Sequence, residues 1–196
     1  MYVLMFIFSF LISTQCLGSI YLDVHTSVGN GQAVVENESD SPSMLQYGIG
    51  TTIGLGFYPF ILGVSADKYL VNQMSDVKSP YGNRKGSRTN IFSLTIGLNI
   101  MSFILKADYQ FMGNYNLDKK NIEGLEIKYE TPKGLRFYLG MQFEFMPLAG
   151  KLGFFYESVD YEKEIVGANE SILSNKMNIK QIGLMAQFDF DFGLGI

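Results

Sequence analysis

The last sixteen residues, QIGLMAQFDFDFGLGI, alternate with a period of two. Ile182, Leu184, Ala186, Phe188, Phe190, Phe192, Leu194 and Ile196 share one parity, and Gln181, Gly183, Met185, Gln187, Asp189, Asp191, Gly193 and Gly195 share the other. Successive side chains of a β-strand point to opposite faces, so this segment has one apolar face and one face of polar residues and glycine. Residues 45–57 repeat the pattern, with Leu45, Tyr47, Ile49, Thr51, Ile53, Leu55 and Phe57 set against Gln46, Gly48, Gly50, Thr52, Gly54 and Gly56. A soluble sheet would cover its exterior with charged side chains, whereas this polar face is mostly glycine and suits a crowded interior. The apolar face then points outward, and a continuous apolar exterior of this size fits lipid.

The alternation picks out eight segments: 19–29, 44–57, 61–70, 89–100, 103–112, 135–146, 151–161 and 177–194. Each matches or exceeds the roughly 9 to 11 residues that a tilted strand needs to cross a bilayer. An even count lets a sheet close with both termini at one end. The connections alternate as well, short at 58–60, 101–102 and 147–150, long and polar at 30–43, 71–88, 113–134 and 162–176. The expected fold is therefore all-β, an eight-stranded antiparallel up-and-down transmembrane β-barrel with short periplasmic turns and long outer loops. The stretches GLGFYPFILGVSAD, GLNIMSFILKAD and FEFMPLAGKLGFF each pass through a brief turn between apolar strands, a weak hairpin-level repetition.

One stretch resists this count. Residues 124–131, GLEIKYET, also alternate and precede Pro132, Lys133 and Gly134, which read as a tight turn. We read 124–131 as a strand extension within the third long loop. A nine-stranded count that includes it, and a ten-stranded count with a further strand in the fourth loop, stay open. Aromatic residues gather near the expected strand ends, as interfacial girdles do: Phe57, Tyr58, Phe60, Phe103, Phe145, Phe190 and Phe192 on the turn side, and Tyr69, Tyr109, Phe111 and Tyr156 on the loop side.

Composition narrows the reading further. The 196 residues suffice for one domain; 47% are hydrophobic and only 17% charged, and no run is long enough for a membrane-spanning helix. A net charge of -4 without a basic stripe argues against nucleic acid as a partner. Residues 1–18 open with an apolar core from Tyr2 to Ile12 followed by small residues, and read as a secretory signal peptide cut after Gly18, although no Lys or Arg precedes that core. Residues 19–196 are then the barrel domain. Cys16 is the only cysteine and leaves with the signal, so the mature chain has no disulfide; as a lipoprotein acceptor its approach residues Ser13, Thr14 and Gln15 are poor.

Eight strands enclose a bore that side chains can fill. The polar parity supplies Asp23, His25, Gln46, Asp67, Asn99, Lys106, Asp108, Gln110, Arg136, Gln142, Glu144, Glu157, Gln181, Gln187, Asp189 and Asp191. Buried charges persist when paired, so Arg136 and Lys106 are expected at the centre of a structural carboxylate network. His25 is the sole histidine, and with Ser27 it faces the bore. An acyl-transfer triad built on His25 is chemically conceivable, but no oxyanion-hole segment accompanies it, and a lumen histidine bonded to Asp or Tyr is the simpler expectation. One His and no mature Cys supply no metal cluster, and no catalytic or cofactor-binding residue is assigned. The first loop carries Glu36, Glu38 and Asp40, and the second carries Lys78, Arg84, Lys85 and Arg88 against Asp76, a basic set that either meets lipopolysaccharide phosphates or is simply solvated.

Together these features resemble the small outer-membrane barrel family that includes the OmpA membrane domain, OmpX and opacity-type adhesins. Gln181, Gly183 and Phe188 are similar to the C-terminal assembly signal of that family, although the chain ends in Gly195 and Ile196 rather than Phe. The resemblance implies export to the bacterial outer membrane through the barrel-assembly machinery. It also implies a monomer in contact with the bilayer and lipopolysaccharide, and a non-enzymatic role in envelope structure, adhesion or host contact through the loops. The alternatives are a lipid A acyl-modifying enzyme using His25, a narrow solute or ion channel, and a soluble lipocalin-like barrel with its apolar face turned inward.

Overall fold

A computed structural model describes residues 18–35, 41–74, 84–118, 126–145, 148–166, 171–173 and 176–193. Residues 1–17 of the expected signal peptide and residues 36–40, 75–83, 119–125, 146–147, 167–170, 174–175 and 194–196 lie outside that set. The strands are β1 (Ser19–Val35), β2 (Ser43–Phe57), β3 (Phe60–Met74), β4 (Arg84–Ile100), β5 (Phe103–Leu117), β6 (Ile127–Phe145), β7 (Leu148–Val166), β8 (Ser171–Leu173) and β9 (Met177–Gly193). All of the long strands pair antiparallel with their neighbours, β1 with both β2 and β9, and β7 with β6 and β9. The wall is thus a closed eight-stranded barrel, with the three-residue β8 added to β7 as a short flap. Closure leaves no unpaired edge among the long strands, so backbone groups need no water along the wall.

Every segment expected from the alternation is a strand, and most run further toward the loop end than expected. Two turns connect strands in two residues: Tyr58 and Pro59 between β2 and β3, Met101 and Ser102 between β4 and β5. Met101 takes a positive φ of 52°, a conformation that suits the twist of a tight hairpin.

The outward face carries the apolar parity. Ile53 is 54% exposed, Leu62 58%, Ile96 59%, Leu139 56%, Phe154 66% and Ile182 62%. These side chains form one band around the barrel, while the bore holds charged and amide residues that are almost wholly buried. Glycine lines the bore where large side chains need its space. A Cβ at Gly140 would strike the Tyr138 phenol, and one at Gly50 would strike the Asp67 carboxylate and the His25 ring.

The alternation is not continuous toward the loop end of β4 to β7, which corrects one expectation. Residues 132–134 are not a tight turn: Pro132, Lys133 and Gly134 pair with Tyr161, Asp160 and Val159 in an unbroken β6–β7 ladder. Residues 127–130 do extend β6, pairing with β5 and β7 at once. Between them Thr131 sits at φ 55°, a left-handed conformation that is strained for a β-branched residue. Its consequence is a change of face, because Ile127 and Tyr129 are buried on odd positions and Arg136 and Tyr138 on even ones. β4, β5 and β7 change face at a comparable level, at Ile91 and Phe92, at Phe111 and Met112, and at Glu162 and Lys163, where two neighbouring residues both avoid the interior. The register of β4 shifts at that point against β5.

Above this level the inside becomes apolar. Ala33, Met44, Val71, Leu117, Ile127, Val159, Met177 and Ile179 pack there with Tyr69, Tyr115, Tyr129 and Tyr161. The rings of Tyr115, Tyr129 and Tyr161 lie 6.0 to 6.4 Å apart in pairs, within the range of favourable aromatic contact. Lys128, Glu130, Lys133, Asp160 and Glu162 point out, and Lys133 bonds Glu162 at 2.7 Å while Lys128 bonds Glu130 at 2.6 Å. Hydrogen bonds from Lys133 and Lys128 hold the Glu162 and Glu130 carboxyls below their usual range. Their small contribution is present at neutral pH and is lost as acid carries them through those lowered values. On the side formed by β4 to β7 the loop end is thus built like a soluble barrel, while β1, β2, β3 and β9 keep one face throughout and still expose Val34, Leu70 and Met74 there.

Candidate functional site

The inward positions of the inverted section form one ionic column. At its turn end Asp189 accepts a hydrogen bond from Lys151, and the Tyr21 hydroxyl lies 3.1 Å from both Asp189 and Asp23. Lys106 then reaches across from β5 to Asp23 at 2.7 Å, also donating to Thr52 and Gln187. The His25 ring bridges two carboxylates, Nδ1 to Asp23 and Nε2 to Asp67, each at 2.7 Å. Arg136 is the hub beyond it. Its Nη1 donates to Asp67 at 2.9 Å and to the Tyr69 hydroxyl at 2.5 Å, and its Nε donates to Asp108 at 2.8 Å. Thr95 donates to the other oxygen of Asp108.

Arg88 completes the column beneath the aromatic layer. It donates to Glu157 at 2.6 Å and places its guanidinium 4.2 Å from the centre of the Tyr69 ring, a geometry suited to cation–π attraction. Gln110 and Gln181 also donate to Glu157. Arg88, Arg136, Glu157 and Asp23 are all 0% exposed. Charges so deep are costly to desolvate, and the dense pairing is what offsets that cost.

Most of the expected bore residues are here: Asp23, His25, Gln46, Asp67, Lys106, Asp108, Gln110, Arg136, Glu157, Gln181 and Gln187 are buried. Asn99 and Asp189 are half-buried at the turn-end mouth, whereas Gln142 and Asp191 are exposed there rather than inside. The side chain of Glu144 and that of Phe145 lie outside the described residues. The expected centre on Arg136 and Lys106 is correct and incomplete, since Arg88 and Lys151 are also buried bases. Arg84, Lys85 and Arg88 are not loop residues but the start of β4. Polar RKGSR looks like a loop because the strand changes face above Ile91 and its inward residues there are the charged ones. Tyr69 is likewise not a girdle residue. It is 1% exposed, on the same parity as Asp67, while Tyr109, Phe111 and Tyr156 do face out as expected.

What this column can do chemically is limited by its pairing. Both nitrogens of His25 face carboxylates and none faces Ser27, so no His–Ser dyad exists among the described residues. Nor does any group of three or more His, Cys, Asp or Glu side chains there sit in a metal-holding arrangement. His25→Ala is expected to cost about 1–3 kcal/mol in a urea titration of the folded barrel in detergent, because two charge-assisted hydrogen bonds disappear. Asp23 keeps Lys106 and Asp67 keeps Arg136, so neither carboxylate is stranded.

No protein-family model matches the chain, and no curated protein matches it in sequence. Solved structures similar to it include Neisserial surface protein A, at 15% identity and a TM-score of 0.46, covering 87% of this chain and 99% of that one. The outer membrane protease OmpT from Escherichia coli aligns at 9% identity and a TM-score of 0.45 over 89% of this chain and 97% of its own. Ail, the attachment invasion locus protein of Yersinia pestis, solved with the heparin analogue sucrose octasulfate, aligns at 12% identity and a TM-score of 0.42 over 86% and 99%.

Proposed function

We propose that this chain is a non-enzymatic bacterial outer-membrane barrel that holds its loops outside the cell on a rigid collar, for adhesion, host contact or envelope structure. The observation that carries the reading is the inversion itself. Large aliphatic and aromatic side chains cover the outside of the lower barrel, while its inside is ionic; a protein surrounded by water has no reason to pay for both. The return to an apolar interior and a charged exterior at the loop end fits the point where the wall leaves lipid and enters water. The long connections depart from that collar.

Signal-peptide export, assembly as a monomer and contact with lipopolysaccharide belong to this proposal. A filled ionic column capped by packed tyrosines supports a closed bore. The test is to express the full chain, separate membranes by density and compare boiled with unboiled samples by electrophoresis. Outer-membrane recovery with a heat-shifted band is expected; recovery in the water-soluble fraction without detergent defeats the proposal. Planar-bilayer recordings of the purified barrel are expected to show no reproducible discrete conductance, and a stepwise current would favour a channel instead. His25→Ala is expected to leave the lipid A mass spectrum of the host unchanged, and a lost acyl modification would restore the enzyme reading.

A further inference from the structure

We propose that the outer wall carries one lipid A site, a depression between β2, β3 and β4 in which an acyl chain lies on the wall and a lipid phosphate pairs with Lys68. The inference rests on the outer-membrane reading above and goes beyond it by naming a ligand and a place.

The depression measures about 490 Å³ and is lined by Val24, Ile49, Thr51, Ala66, Lys68 and Ile91, among others. It exists because the wall is irregular there. The β3–β4 register shifts between Ser65 and Asp67, where β4 carries one extra residue and changes face at Ile91 and Phe92. The small side chain of Ala66 leaves the surface low, and Ile49 and Ile91, 62% and 44% exposed, form apolar flanks continuous with the lipid-facing band.

Lys68 supplies the charge. It is exposed on the outward parity of β3, between Ile49 of β2 and Thr89 of β4, with Leu70 next above it on the same face. Three outward lysines at the loop end have acidic partners, Lys133 with Glu162 and both Lys128 and Lys163 with Glu130; Lys180 has none among the described residues but stands among polar side chains, whereas Lys68 stands beside Ile49 and Leu70. Among the described residues no carboxylate comes within ion-pair distance of Lys68. An ammonium left alone against an apolar wall is unfavourable in a membrane, and an anion from the bilayer is the partner that the position admits. Lys68 lies toward the loop end, in the outer leaflet. There the available phosphate is that of lipid A, which also brings the acyl chain that the depression fits.

The experiment uses the full mature barrel in detergent with purified bis-phosphorylated lipid A, and counts retained lipid by native mass spectrometry. The wild type is expected to hold one lipid A. Lys68→Gln should weaken retention about tenfold, and Ala66→Leu, which fills the depression without touching the charge, should weaken it to a similar extent. Lys180→Gln is the control: it removes an exposed cation flanked by Gln32 and Ser158, both polar, and should retain lipid as the wild type does. Each variant is first shown to be heat-modifiable, so that failure of the membrane reading is seen separately. Retention at the wild-type level by Lys68→Gln and Ala66→Leu would overturn the site. So would equal binding of dephosphorylated lipid A or of phosphatidylglycerol, which would mean that neither the phosphate nor the glycolipid is selected.

Discussion

Arg136→Met is expected to destabilise the folded barrel by about 3–5 kcal/mol, read from the shift of its urea unfolding midpoint in lipid vesicles. The size follows from what is left behind. Arg136 is fully buried and serves Asp67, Asp108 and the Tyr69 hydroxyl together. Methionine fills much of the volume, so the loss is electrostatic rather than a cavity. Asp108 would retain only the Thr95 hydroxyl, and Asp67 only His25. The cost should therefore fall sharply when the stranded charge is removed as well. Arg136→Met combined with Asp108→Asn is expected to recover a substantial part of the loss, whereas Arg136→Met combined with Thr95→Val should not. A single variant as stable as the wild type would mean that the column is not the electrostatic unit its geometry describes.

The expectations drawn from the sequence succeeded where one physical rule governed a whole segment. Between the turn end and the face changes, each strand has an apolar outer side and faces a packed polar bore on the other. Parity alone therefore placed His25, Asp67, Lys106 and Arg136 inside, and Ile53, Leu62 and Leu139 outside. Lys151 was legible by the same rule, since it shares parity with Phe155 and Glu157, but a lysine beside a turn looks solvated. The loop end obeys a different rule. There the charges are on the outside of β5 and β6: Tyr115, Leu117, Ile127 and Tyr129 turn in while Lys128 and Glu130 turn out. No residue type announces the crossover. Thr131, the residue whose backbone conformation marks it on β6, is ordinarily a strand former. Arg88 was missed for the same reason, because the rule that makes RKGSR look like loop holds only when the strand keeps one face. The Asp23–His25–Asp67 bridge needed tertiary structure outright: Asp67 and His25 both lie opposite Gly50, on either side of β2, and the open space at that glycine lets the two side chains meet.

Arginine at Ile53 or Leu139 should cost on the order of 2–4 kcal/mol, measured as reversible unfolding from lipid vesicles. Both side chains are more than half exposed in the middle of the apolar band, and neither has an acid beside it on the outward face. Their neighbours in sequence give the contrast. Gly54 and Gly140 are on the opposite parity, where arginine meets no lipid but has no room. A Cβ at Gly54 would collide with the β3 backbone at Leu62 and Gly63, and one at Gly140 with the Tyr138 ring. Two failures with different causes separate by solvent. Transfer to a detergent micelle, whose shell deforms around a charge, should relieve part of the penalty at Ile53 and Leu139. It should leave the glycine variants as impaired as before, because crowding inside the bore does not depend on what surrounds the barrel. Alanine makes the same distinction in reverse: Ile53→Ala should be mild because no packed core is opened, while Gly140→Ala should already disturb the bore. If arginine were tolerated alike at all four positions, neither face would be in contact with hydrocarbon, and the column of buried charge would have to be explained in water.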